Sequence, residues 1–271
     1  MKNSIITVKA YSKLNFFLDI LGRRSDGYHE IRTTMLTVDL CDDVRLGVSD
    51  GDGVFLTCTE PEIPLDERNT AYKAAKLFLE KAGVKKQVDI DIIKRIPVGG
   101  GLGGSSADAA AVLRALNELF GELFDLSELL EIGTKVGADV PFCIHGGFAL
   151  CTGTGTEIAE VFPVPAYIFV IVKPNFSCSS KKAYAMYDKK KLSETPFRGC
   201  TDVFNIFEKL YNNPEIEKIK NNLIQLGAVN ASLSGSGSAV FGVFEDINSA
   251  ERAYAAMKYT EKFIARPIVQ K

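Results

Sequence analysis

The sequence has few of the residues that build metal, disulfide or nucleic-acid sites. It contains two histidines in 271 residues, and its six cysteines are scattered without a Cys-x-x-Cys pair. A zinc site or a disulfide framework is therefore not predicted, and we expect reduced cysteines in a cytoplasmic protein. Lysine and arginine number 32 against 34 aspartate and glutamate residues. A nucleic-acid-binding protein usually shows a basic excess, so we expect no nucleic-acid partner.

Long apolar runs are also lacking. The longest extends from Ala166 to Val172, far below the ~20 residues that a membrane helix needs. The first eleven residues mix lysine and asparagine into a short apolar run, which is not typical of a secretory signal. We therefore expect no membrane partner. The length suits two domains, and we predict them at 1–163 and 164–271.

Local patterns predict a mixed α+β fold. Residues 4–20 predict two strands around a short break, and the alternation of apolar and acidic residues from Val88 to Ile92 predicts a strand with one buried face. Asn69 or Thr70 is expected to cap a helix that Gly83 ends. A further helix is predicted near 203–211.

The most informative segment is rich in glycine. It reads Pro97-Val98-Gly99-Gly100-Gly101-Leu102-Gly103-Gly104-Ser105-Ser106-Ala107. It leaves a predicted strand and opens an amphipathic helix, for which Ser105 or Ser106 is the expected N-cap. Unpaired N–H groups and the positive end of the helix dipole at such a place bind phosphate. A tight strand-to-helix turn is the alternative, although a turn needs only one or two glycines.

Two other phosphate loops can be compared with this segment. Gly99-x-Gly101-x-x-Gly104 satisfies the dinucleotide fingerprint, but no repeated βαβ pattern with an acidic strand end surrounds it. The P-loop of other ATPases is excluded because the chain contains no Gly-Lys dipeptide.

Two further motifs accompany the glycine loop in a fixed order. Ser12-Lys13-Leu14-Asn15 precedes it, and Ser234-Gly235-Ser236-Gly237-Ser238-Ala239-Val240-Phe241 follows it. With these three motifs the chain resembles the GHMP kinases, which include galactokinase and the homoserine, mevalonate and phosphomevalonate kinases. Arg24 to His29, Gly137 to Pro141 and Asn205 to Glu208 extend the resemblance to the branch whose substrate is a cytidine diphosphate-linked methylerythritol.

The resemblance implies a fold and a reaction. The fold is a two-domain α+β GHMP kinase fold, with a ribosomal protein S5 domain 2-like N-terminal domain that binds ATP and a ferredoxin-like C-terminal domain on the substrate side. The active site would lie in the interdomain cleft. ATP with Mg²⁺ would phosphorylate the 2-hydroxyl of the cytidine diphosphate-linked substrate, a step of non-mevalonate isoprenoid synthesis. We expect a monomer or a weak homodimer.

The resemblance also implies the catalytic residues. Asp139 would accept the proton of the acceptor hydroxyl, and Lys13 beside it would keep that carboxylate ionised. From the residues alone, Asp139 before Val-Pro is equally a loop or helix-cap carboxylate. Lys13 lies on an apolar strand, where a buried lysine is rare unless paired, and a solvent-facing lysine is its ordinary interpretation.

Substrate recognition is implied for a third set of residues. Tyr28 would stack on the pyrimidine, His29 would hydrogen-bond its edge, and Tyr184 could supply a second aromatic ring. Asn15 would bind the erythritol hydroxyls, and Gly235 with Ser236 would border the phosphate and substrate cleft. Without the resemblance, Tyr28 and His29 indicate a turn with two amphipathic rings, and the Gly235 segment is equally an ordinary hairpin.

Three other functions stay open from the sequence. One is another GHMP kinase of homoserine or mevalonate type, whose substrate offers no base to stack. The second is a non-catalytic nucleotide-binding protein that retains the loop. The third is a dinucleotide-dependent oxidoreductase.

Overall fold

A computed structural model describes residues 4–190 and 192–269. The strands are β1 Ser4–Arg23, β2 His29–Ser49, β3 Gly53–Cys58, β4 Gln87–Ile93, β5 Phe148–Thr152, β6 Glu157–Phe162, β7 Ile168–Lys173, β8 Phe204–Asn205, β9 Asn230–Leu233, β10 Val240–Phe244 and β11 Glu261–Ala265. The helices are α1 Thr70–Ala82, α2 Gly104–Leu119, α3 Leu126–Val136, α4 Val140–His145, α5 Ser180–Lys190, α6 Pro214–Gln225 and α7 Ile247–Ala256, with a 3-10 helix at Ile206–Lys209. Among the described residues, no helix is long and apolar enough to cross a membrane.

The chain forms two compact units built from discontinuous segments. Of the described residues, the first unit comprises those within 1–12, 41–96 and 103–145, and the second comprises those within 13–40, 97–102 and 146–271. These segments do not test the boundary predicted at residue 163, which stays a prediction.

The first unit packs helices on one face of a small sheet. β4 pairs antiparallel with the second half of β2 and parallel with β3. Val88, Ile90 and Ile92 are buried, whereas Asp89 is exposed, so the predicted strand with one buried face is confirmed. α1 packs on α2. Its predicted boundaries are also confirmed, since the Asn69 side chain accepts from the Ala71 N–H and Gly83 adopts a φ of 65°.

The second unit contains a four-stranded antiparallel sheet in the order β11-β7-β10-β9, on which α6 and α7 pack. The first half of β2 pairs antiparallel with β5, and β5 pairs with β6. The second half of β1 pairs parallel with the short β8. A continuous apolar core includes Leu18, Val170, Ile219 and Phe244.

Two predictions of secondary structure were wrong. Residues 4–20 form one strand rather than two, because the polar residues Ser12, Lys13 and Asn15 are buried within it instead of breaking it. The helix predicted near 203–211 is replaced by β8 and the 3-10 helix. Asn205 is extended, pairs with Leu18 and accepts the Phe207 N–H with its side chain, which starts a tighter turn.

Candidate active site

Lys13 and Asn15 form a buried polar pair on β1. Lys13 is 4% exposed and Asn15 is 2% exposed. The Lys13 Nζ donates to Asn15 Oδ1 at 2.5 Å, and Asn15 Nδ2 donates to the Thr33 hydroxyl at 2.8 Å. A lysine is almost never fully buried unless it is paired, so the solvent-facing alternative for Lys13 is wrong. The amide of Asn15 fixes the position of the Lys13 ammonium group.

The glycine loop contacts both flanking motifs inside the second unit. The Lys13 N–H donates to the Leu102 carbonyl at 2.9 Å, and the Ala239 N–H donates to the Gly100 carbonyl at 3.0 Å. The Ser234 hydroxyl donates to the Gly101 carbonyl at 3.0 Å. The first and third motifs, distant in sequence, therefore meet at residues 100–102 of the loop.

The backbone of the loop alternates in hand. Gly99, Gly101 and Gly103 have φ values of 69°, 76° and 73°. Successive N–H groups in such an alternating backbone form a concavity that binds anions. A Cβ at Gly101 would collide with the Ser234 carbonyl oxygen, so this glycine is required by space as well as by φ.

α2 begins two or three residues earlier than predicted. The N-cap is Gly103 in the left-handed region and the helix starts at Gly104, so the expectation of Ser105 or Ser106 as the cap was wrong. Both serines lie in the first helical turn, and Ser105 is exposed. The first N–H groups of a helix have no intrahelical partner, which leaves them for an anion.

The strand before the loop is tied to α2 by a buried ion cluster in the first unit. Lys94 Nζ lies 2.5 Å from Asp42 Oδ2 and 2.7 Å from Asp108 Oδ2. Asp42 also accepts the backbone N–H groups of Arg95 and Ile96. Burial raises the pKa of Asp108 to about 7, with Lys94 opposing the shift and Asp42 adding to it. The sequence alone does not indicate this cluster, because its members lie far apart in the chain.

The third motif is a turn between β9 and β10 that is held from several sides. Asn205 Nδ2 donates to the carbonyls of Leu233 and Gly235, both at 2.8 Å. The Tyr211 hydroxyl donates to the Ser236 carbonyl at 3.0 Å, and burial raises the pKa of Tyr211, which keeps it a donor. Ser236 is 8% exposed, and its hydroxyl lies 2.8 Å from that of Ser180. Unlike an ordinary hairpin turn, this turn is hydrogen-bonded by side chains from outside the hairpin.

The residues predicted to recognise cytidine lie around the start of β2. The Tyr28 ring is 67% exposed at the end of a turn in which its N–H bonds to the Asp26 carboxylate. The His29 ring is stacked on Tyr184, with centroids 4.7 Å apart and an angle of 21°. His29 Nε2 lies 2.7 Å from Asp188 Oδ1, a partner that the sequence analysis did not single out.

Asp139 belongs to the first unit. It is partly buried and immediately precedes α4, and its carbonyl accepts the Cys143 N–H at 3.0 Å. Its role as a base stays a prediction.

Two segments of the chain match known family models. Family models for the GHMP kinases N terminal domain and the GHMP kinases C terminal domain match residues 69–147 and 209–262. A 4-diphosphocytidyl-2-C-methyl-D-erythritol kinase from Clostridium tetani is 41% identical, over 96% of this chain and 99% of that protein. The chain belongs to the GHMP kinase family. A Clostridium botulinum protein of the same name is 41% identical over 97% of this chain and 100% of its own length.

Solved structures of GHMP kinases agree. A crystal structure of 4-(cytidine 5'-diphospho)-2C-methyl-D-erythritol kinase matches with a TM-score of 0.82 and 31% identity, covering 97% of this chain and 99% of that one. A homoserine kinase from Cytophaga hutchinsonii shares the fold, with a TM-score of 0.79 and 22% identity over 100% and 97% of the two chains. The predicted α+β GHMP kinase fold is confirmed, and as a GHMP kinase this chain uses ATP as its phosphate donor.

Proposed function

We propose that this GHMP kinase transfers the γ-phosphoryl group of ATP to the 2-hydroxyl of 4-(cytidine 5′-diphospho)-2-C-methyl-D-erythritol. The observation that carries the proposal is the 41% identity, over nearly the full length of both chains, to enzymes named for that substrate. The product would be the 2-phosphate, in non-mevalonate isoprenoid synthesis. The homoserine kinase match, at 22% identity, supports only the fold.

The glycine loop and Lys13 supply the hydrogen-bond donors and the positive charge that stabilise the phosphates. Phosphoryl transfer depends mainly on positioning and on stabilising charge at the transferring group. The alternating backbone of residues 99–103 and the start of α2 offer N–H groups to the phosphates. Lys13 is held by Asn15 in a buried setting, where its charge acts more strongly than in water.

Asp139 is the proposed base. Its carboxylate would take the proton of the 2-hydroxyl as that oxygen forms a bond to the γ-phosphorus and the bond to ADP breaks. The proposal for Asp139 is supported by its place in the Gly-Ala-Asp segment, Gly137 to Asp139. A positioned base contributes roughly 100- to 10,000-fold in rate.

Magnesium is proposed to arrive with ATP. Mg²⁺ usually keeps several waters and is held by one or two carboxylates together with substrate phosphates. Within 4–190 and 192–269, no group of three or more His, Cys, Asp or Glu side chains could hold a metal alone. This fits a Mg²⁺ ion that is held mainly by the phosphates of ATP and would neutralise their charge. The Ser105 and Ser106 hydroxyls are the candidate protein ligands.

Cytidine recognition is assigned to Tyr28 and His29. The exposed Tyr28 ring offers a surface on which a pyrimidine can stack. His29 is fixed by Asp188 and Tyr184, so its remaining polar edge has one orientation. Tyr184 contributes by holding His29 rather than by forming a sandwich. Asn15, already bonded to Lys13 and Thr33, retains hydrogen-bonding capacity for an erythritol hydroxyl.

The test is product formation. The protein is incubated with ATP, Mg²⁺ and the cytidine diphosphate alcohol, with homoserine and mevalonate in parallel, and added phosphate is detected by mass. We expect phosphorylation of the cytidine compound alone. Asp139→Asn and Lys13→Ala should fold normally and lose at least about 100-fold in kcat, whereas the exposed-turn variant Asp52→Asn should keep it. Phosphorylation of homoserine or mevalonate instead would contradict the proposal.

A further inference from the structure

Three side chains on one face of α5 contact the ring of His29. Tyr184 stacks on that ring at 4.7 Å, and Tyr187 meets it edge-on at 6.0 Å with an angle of 87°. Asp188 Oδ1 lies 2.7 Å from the ring Nε2. Positions 187 and 188 lie three and four residues after position 184, so all three side chains share one face of the helix. A stacked ring, an edge-on ring and a carboxylate therefore all contact the His29 imidazole.

This arrangement is rigid. The His29 side chain is only 10% exposed. Tyr187 is 9% exposed, and its hydroxyl donates to the Ile20 carbonyl at 2.8 Å, which ties α5 to β1. Arg23 lies 3.9 Å from the other Asp188 oxygen but is 64% exposed, so it adds little. The orientation of the His29 ring therefore depends on α5 and above all on Asp188.

A carboxylate partner also decides where the imidazole carries its proton. An ionised aspartate only accepts hydrogen bonds, so the His29 Nε2 must be the N–H nitrogen. In the neutral ring, Nδ1 is then an acceptor. Without Asp188 the ring could take either tautomer or turn over, and either nitrogen could serve as donor or acceptor.

We infer that Asp188 is a positioning residue that makes His29 selective for cytosine over uracil. The inference depends on the proposed function, because it presumes that His29 meets the pyrimidine. Cytosine carries an amine at position 4, which donates, whereas uracil carries a carbonyl oxygen there, which accepts. A fixed Nδ1 acceptor pairs with the amine and repels the carbonyl oxygen. Selectivity by repulsion requires that the acceptor cannot change its role.

The experiment compares CDP with UDP as competitors of the cytidine substrate in the intact enzyme. Wild type should bind CDP at least about 10-fold more tightly than UDP. This difference corresponds to the free energy of one buried hydrogen bond that is formed with CDP and not with UDP. Asp188→Ala should lower this ratio to about 3-fold or less, and KM for ATP should stay within about 2-fold. Asp188→Glu, which keeps the carboxylate, should restore part of the ratio. Asp52→Ala, an exposed residue of the first unit, controls for the lost charge.

The outcomes separate the two proposals. If wild type phosphorylates the cytidine substrate and Asp188→Ala keeps the wild-type ratio, the inference is overturned and the proposed function stands. If wild type phosphorylates it without preferring CDP, the inference also fails. If wild type neither phosphorylates it nor prefers CDP, both fail together. Should Asp188→Ala not fold, the isosteric Asp188→Asn replaces it, because an amide can support either tautomer and should also lower the ratio.

Discussion

At the scale of single residues, Gly101 carries the strictest requirement in the glycine loop. Its φ is 76°, and a Cβ there would meet the Ser234 carbonyl oxygen and the Gly237 nitrogen. Gly101→Ala should therefore push the loop away from the third motif and raise KM for ATP at least about 10-fold, on top of about 1–2 kcal/mol of backbone strain. Steady-state kinetics with varied ATP and chemical denaturation measure the two effects.

A matched glycine separates strain from collision. Gly121 has a φ of 77°, and nothing lies within 4 Å of a Cβ built on it. Gly121→Ala should lose similar backbone stability and leave KM for ATP unchanged. Equal effects of the two substitutions on KM would show that the contact with Ser234 is unimportant for the nucleotide.

At the scale of elements, the sequence predicted the helices and strands whose boundaries and faces are set by neighbouring residues in the chain. α1 has its cap and its terminating glycine in the sequence, and β4 has its alternation, so both were predicted. β1 was divided in two in the prediction, whereas the structure buries the polar residues Ser12 and Lys13 within one strand. The burial of Lys13 depends on tertiary partners, since its ammonium group donates to the Asn15 side chain and its N–H donates to the Leu102 carbonyl. The motifs were likewise visible in the sequence, whereas their meeting at the loop depends on tertiary contacts.

Among the side chains that hold the turn between β9 and β10, Asn205 makes two hydrogen bonds to it. Asn205 donates to two of its carbonyls, and Asn205→Ala would leave both without that donor. The cost is about 1–3 kcal/mol for each buried group that loses its partner. We expect a lower free energy of unfolding and faster amide hydrogen exchange at residues 233–239. Asn221→Ala, on the exposed side of α6, should change neither, and unchanged exchange in the Asn205 variant would refute this role.

At the scale of the whole molecule, the buried cluster of Lys94, Asp42 and Asp108 predicts how stability depends on pH. Burial raises the pKa of Asp108 from 3.8 to about 7. A carboxyl whose pKa is raised in the folded state binds its proton more tightly there than in the unfolded chain. Its contribution to stability is therefore complete below about pH 4 and is lost as the pH rises through about 7.

Two other carboxylates with strongly shifted pKa values act outside this range of pH. Hydrogen bonds from Arg68 lower the pKa of Asp66 to about 2, and those from Lys135 and Lys81 lower the pKa of Glu131 to about 2. These shifts have the opposite sign and act below about pH 4.5. Burial raises the pKa of Cys58, which also faces the cluster, above its usual 9.0. Between pH 5 and 8, Asp108 is therefore the group that should govern the slope within this cluster.

Asp108→Asn isolates that contribution. The amide oxygen can still accept from Lys94, but it no longer titrates. Wild type should lose more Tm than Asp108→Asn between pH 5 and pH 8, measured by calorimetry in buffers of equal ionic strength, and Asp52→Asn should follow wild type. Parallel curves for wild type and Asp108→Asn would mean that Asp108 is ionised throughout this range. Lys94 would then offset the burial of both carboxylates, and the strand before the glycine loop would be tied to α2 by a fully charged triad.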